Sequence, residues 1–111
     1  MKRWLLAVTA TMLTLPVFGA SPYVGTWAQR QKLCLAEGDS VPMKIREQEI
    51  LFYESGCNLK SIVRNASTWT AKAECSGEGE SWSQSIRMTV SGNSLIFSMG
   101  NGKDERYVRC R

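Results

Sequence analysis

The sequence contains no histidine. This excludes Ser-His-Asp and Cys-His catalysis, histidine-ligated metal or haem, and a histidine pH switch, because each needs an imidazole. Closely spaced cysteines are missing too. Cys34, Cys57, Cys75 and Cys110 are scattered along the chain, whereas structural zinc sites usually draw their cysteines in near-neighbour pairs. No G-x-S-x-G elbow singles out a serine nucleophile, and no glycine-rich phosphate loop leads into a helix. The inventory points to a protein that is not an enzyme and carries no cofactor or metal. There is no internal repeat, no low-complexity tract and no linker.

What is present fits one small domain of 111 residues, 43% hydrophobic and 22% charged. The first twenty residues read as a signal peptide. Lys2 and Arg3 form a positive start, Trp4 to Val17 is uncharged and mostly apolar, and Val17-Phe18-Gly19-Ala20 offers small residues for cleavage near 19–21. A membrane anchor is the competing reading. The stretch Trp4–Ala20 is short for a bilayer and is interrupted by Thr9, Thr11, Thr14 and Pro16. The domain then spans residues 21–111. Loss of Lys2 and Arg3 leaves 12 basic residues against 10 acidic ones, a net charge of +2. That excess is too small to argue for nucleic acid as a partner, and no membrane span is expected in the mature form. All four cysteines fall in the exported part. An even number in a small exported domain reads as two disulfides in a bacterial periplasmic or secreted protein.

Turn signals recur at short intervals between runs of β-branched and aromatic residues, and no helical periodicity competes with them. The expected fold is all-β: a small antiparallel barrel, or a curved meander sheet, of seven or eight strands. Facing residues of an antiparallel pair have a constant number sum, and three hairpins pass that test. Ile86, Met88 and Val90 face Met99, Phe97 and Leu95 around Gly92-Asn93. Ile45 faces Ile50 and Met43 faces Phe52, with Val41 continuing the core face. Cys57, Leu59, Ser61 and Val63 face Cys75, Ala73, Ala71 and Trp69. The matched hairpin pairs Cys57 with Cys75, and elimination pairs Cys34 with Cys110. Phe97, Met88, Ile45 and Trp27 are the expected core.

The alternation leaves Leu51 and Tyr53 opposite the core face, as candidates for partner contact. Tyr and Arg are enriched at binding hot spots, so Arg106 and Arg109 join them as charged contacts. The basic run Lys103, Arg106, Arg109 and Arg111 also reads as charge protection of an edge strand. Glu74, Glu78 and Glu80 suggest a calcium loop or paired carboxylates, but a Gly-rich acidic segment is most simply a solvated turn. Asn65-Ala66-Ser67 matches a glycosylation sequon, and in a bacterial protein it is a polar turn.

Gly25-Thr26-Trp27 resembles the G-x-W opening of lipocalins and of the small periplasmic metalloprotease inhibitors with a lipocalin-like barrel. With Tyr107-Val108-Arg109-Cys110 and the four cysteines, it is also similar to small uncharacterised exported proteins of proteobacteria. The inhibitors carry one disulfide, so the four cysteines depart from their pattern. From the residues alone, Trp27 is a ring covering one end of a barrel core. The expected function is that of an exported binding protein whose partner is another protein, as in inhibiting or neutralising an envelope hydrolase. A small lipocalin-like carrier of an apolar ligand and a structural or stress-related envelope protein are the alternatives.

Overall fold

The computed structural model describes residues 19–111. The signal-peptide reading falls on residues 1–18 and lies outside the described residues. Eight strands close into one antiparallel barrel in sequence order: β1 Gly25–Ala28, β2 Met43–Ile45, β3 Glu49–Phe52, β4 Ser55–Asn65, β5 Thr68–Gly77, β6 Glu80–Ser91, β7 Ser94–Met99 and β8 Glu105–Arg109. Closure pairs β1 with β8 through Trp27↔Arg109 and Ala28↔Val108, which removes the exposed edges of an open sheet. Both disulfides are present as expected, Cys57–Cys75 across β4 and β5 and Cys34–Cys110 from the β1–β2 connection to the residue after β8. Among the described residues no helix is long and apolar enough to cross a membrane.

Tight turns explain why the meander forms. Glu78 and Gly79 are the two residues between Gly77 and Glu80, both with positive φ of 50° and 81°. That is the conformation whose twist matches the flanking strands. Gly92, with φ of 59°, opens the β6–β7 turn, where a side chain would be strained. The hairpin expected there has Ile86↔Met99, Met88↔Phe97 and Val90↔Leu95 in register. Lys44↔Leu51 and Ile45↔Ile50 confirm the β2–β3 register. Trp27, Ile45, Met88 and Phe97 are all buried, together with Tyr23, Ile50, Ile86 and Leu95. Alternate residues of every strand fill the interior with side chains, as expected of an eight-stranded barrel of this size.

Two expectations are corrected. Val63 does not face Trp69. The register holds from Cys57↔Cys75 through Lys60↔Lys72, then slips by one, so that Val63 meets Thr70 and Arg64 meets Trp69. Ser61, with φ of 55°, sits in a bulge that adds one residue to β4. The slip turns Ile62 toward the core and leaves Val63 60% exposed. Val41 does not extend the core face either. It caps the short 3-10 turn Gly38–Ser40, its N–H donating to the Gly38 carbonyl at 3.0 Å, and is exposed ahead of β2.

One end of the barrel is sealed by the segment before β1. Tyr23 is buried there, its ring edge-on to Trp69 at 5.5 Å, and its hydroxyl donates to the Glu47 carbonyl at 2.8 Å. The Glu47 carboxylate accepts from the Ser21 hydroxyl at 2.7 Å and from its N–H at 2.8 Å. These bonds favour the charged form and hold the carboxyl below its ordinary range. A folded-state pKa below the unfolded one gives stability that is present above the ordinary glutamate range and lost as pH falls through the lowered value. Wild type should therefore exceed Glu47→Gln in stability at neutral pH by less than about 1 kcal/mol, since the site is solvent-screened. The gap should vanish in strong acid. A gap that is the same at both pH values in thermal melts contradicts the assignment.

Candidate functional site

The two barrel ends differ in kind. At the sealed end, Trp27 is fully buried and its indole N–H donates to the Tyr23 carbonyl at 2.9 Å. Arg109, its cross-strand partner, lays its guanidinium 4.4 Å above the indole ring, a cation–π contact. Nη1 donates to the Val24 carbonyl at 2.9 Å, and Nη2 to the carbonyls of Pro22 at 2.9 Å and Gly92 at 3.4 Å. A Cβ on Gly25 would stand 2.7 Å from Nη1. Glycine at this position thus makes room for the guanidinium that closes over Trp27, which gives the Gly25-Thr26-Trp27 opening a physical meaning in this chain.

Arg109 is consequently committed to the seal and half-buried. It does not stand free as a contact residue. Arg109→Ala should cost about 2 kcal/mol in urea unfolding, since hydrogen bonds from a charged group are among the stronger ones. It should leave recognition at the opposite end intact. A loss below about 0.5 kcal/mol would show that the seal contributes little.

The opposite end is an open mouth. Trp27, shared with the sealed end, underlies its floor with Met43, Phe52 and Tyr107, and Leu33, Val41, Pro42 and Tyr53 together with polar Gln29, Asp39 and Ser40 form its wall, around a cleft of about 370 Å³. Phe97 braces the floor from within, with ring centroids 6.4 Å from Phe52 and 6.1 Å from Tyr107. The Tyr107 hydroxyl donates to Glu105 at 3.3 Å. Burial, then the Glu105 charge, push its phenol above the ordinary tyrosine range.

The connection from β1 to β2 forms one side of this mouth. It folds into 3-10 turns at Gln31–Leu35 and Gly38–Ser40 rather than strands. It is tied down by Cys34–Cys110 and by the Gln31 side chain, which donates to the Arg109 carbonyl at 2.7 Å. Leu35, beside the anchored cysteine, is 92% exposed. Beyond the cleft a second notch of about 270 Å³ lies between Tyr53 and Trp82, rimmed by Glu54, Glu78 and Glu80. Tyr53 is the wall common to both hollows.

The four proposed contact residues do not form one patch. Tyr53 is 46% exposed at the mouth. Leu51 is half-buried on the outside of β3, its Cδ2 within 3.4 Å of where a Gly56 Cβ would lie. Arg106 is exposed on β8 opposite Ile96, and β1 and β2 separate β8 from β3. Glu74 makes an ion pair with Lys60 at 3.1 Å, across β4 and β5 and apart from Glu78 in its turn. The contribution of Leu33 and Trp82 is not visible in strand alternation. Its sequence signal is leucine on both sides of Cys34 in a segment that otherwise carries Arg30, Lys32 and Glu37. Comparison with protein-family models, curated proteins and solved structures finds no match for this chain.

Proposed function

We propose that this chain is an exported, non-enzymatic binding protein that engages another macromolecule through the open mouth of its barrel. The observation carrying the reading is the placement of its exposed large apolar side chains. Of the five among the described residues, Val41, Tyr53 and Trp82 lie at this end, Val63 lies at the β4 bulge, and Leu35 lies beside Cys34, which is bonded to Cys110 after β8. Exposed apolar residues gathered on a rigid frame mark interaction sites, whereas scattered ones need no explanation. Two disulfides in so small a fold are compatible with an extracellular or periplasmic setting. There, an envelope hydrolase to be inhibited or neutralised is a partner of fitting kind, and the Gly25-Thr26-Trp27 resemblance points the same way.

A carrier role is the second reading, favoured by the Met43, Phe52 and Tyr107 floor of the cleft. The side-chain-filled interior supports the surface binder over it. Affinity capture from a periplasmic extract should yield a partner that wild type retains and Tyr53→Ala/Trp82→Ala releases, with binding weakened at least about thirtyfold. The variant should keep the wild-type circular dichroism, because both side chains are partly in solvent. Equal capture by both proteins, or capture by neither, defeats the reading.

A further inference from the structure

Charge at the mouth narrows the kind of partner. Seven of the ten acidic residues lie there: Glu37 and Asp39 in the β1–β2 connection, Glu54 and Glu78 in turns, Glu80 opening β6, and Asp104 and Glu105 at the entry to β8. Arg30, Lys32, Lys103, Arg106 and Arg87, the ion-pair partner of Asp104, are the basic residues of the same end, giving it a net charge of −2. The remaining described residues carry seven basic and three acidic side chains, a net charge of +4. The two sums recover the +2 of residues 21–111. The polarity is therefore a property of where the charges sit, since overall composition is basic.

Two of these carboxylates are engaged within the chain and three at the notch are not. Asp104 pairs with Arg87 at 3.1 Å and Glu105 receives the Tyr107 hydroxyl. Among the described residues, Glu54, Glu78 and Glu80 make no ion pair, and all three are exposed. They rim the notch whose sides are Tyr53 and Trp82. Aromatic faces attract a cation through the ring quadrupole, and flanking carboxylates add charge complementarity. The adjoining cleft, also lined by Gln29, Asp39 and Ser40, offers an uncharged side chain an apolar floor in Met43 and Phe52 beyond the shared wall of Tyr53.

We infer that the mouth receives a polypeptide segment of a partner protein in which an apolar residue stands next to a lysine or arginine, the apolar side chain entering the cleft and the cation entering the notch between Tyr53 and Trp82. The inference rests on the mouth being the binding site and adds the chemistry of what it binds. An acidic segment is disfavoured by repulsion from the same rim.

The test is selection of a random-peptide display library on wild-type protein, followed by affinity measurement of the selected peptides. Binders should be enriched in Lys or Arg adjacent to an aliphatic or aromatic residue. They should weaken about tenfold on Glu54→Gln/Glu78→Gln/Glu80→Gln, as three rim charges removed together would give. Raising salt should reduce binding to wild type more than to that variant. These substitutions lie in exposed turns, and an unchanged melting temperature verifies the fold. Neutral or acidic binders that need Tyr53 and Trp82 but ignore the carboxylates overturn the charge inference while leaving the mouth as the site. Binders indifferent to Tyr53→Ala/Trp82→Ala, or an empty selection, overturn both. Self-association of the purified protein that Tyr53→Ala/Trp82→Ala abolishes would make a second copy the occupant and likewise overturn the inference.

Discussion

Cys34→Ser with Cys110→Ser is expected to lower the unfolding free energy by about 4.5 kcal/mol, the largest effect of any change considered. The two cysteines are 76 positions apart. In the chain-entropy account, opening so long a loop restores more freedom to the unfolded chain than opening the loop of Cys57–Cys75, 18 positions apart and worth about 3 kcal/mol. Domains of this size rarely have more than about 10 kcal/mol in total. The variant should therefore unfold at much lower urea than wild type. It should also lose recognition at the mouth before it unfolds, because Cys34 anchors the connection that carries Leu33, Leu35 and Val41. Urea unfolding and partner capture, run side by side at low temperature, separate the two consequences. Stability within about 1 kcal/mol of wild type would mean that the rest of the barrel already confines these residues.

Phe97→Ala is expected to cost about 3–5 kcal/mol. Phe97 is 4% exposed, in register with Met88 across β6–β7, and lies between the rings of Phe52 and Tyr107. Its removal deletes contacts on three strands at once and leaves a void beneath the mouth. A barrel has little freedom to collapse into such a void, since its strands are held on both sides by hydrogen bonds. The same substitution loosens the floor formed by Phe52 and Tyr107, so recognition should weaken along with stability. A change below about 0.5 kcal/mol in urea unfolding would place the side chain outside the core.

The strands were legible because their chemistry repeats with period two. Ile86, Met88 and Val90 have one register in which each meets an apolar partner, and that register is the observed one. Cys57 and Cys75 fell into place by the same count. The count failed where a backbone irregularity intervened. Ser61 on the supposed core face, with Ile62 next to it, was the only trace of the bulge that moves Val63 into solvent. The site was less legible for a different reason. Tyr53 was found because it follows a strand of clear alternation, but Leu33 and Trp82 join it only after the chain has closed. Arg109 shows the reverse. Its charge and its position in a basic cluster suggested a surface contact, yet closure of the barrel brings it over Trp27, where it bonds three carbonyls. No local pattern distinguishes a capping arginine from a docking one.

The β1–β8 seam also sets an order of events. Strands β4 to β7 pair with immediate neighbours through short turns, so their contacts are local and form early. The seam joins Trp27 to Arg109 and has two residue pairs, against ten between β5 and β6. It is therefore the last contact that folding can make. Amide exchange should be faster there than between β5 and β6, and the chain remains an open sheet until β8 arrives. The Cys34–Cys110 bond straddles this seam and acts as a latch: while it is shut, transient opening cannot propagate into exposed strand edges that invite aggregation.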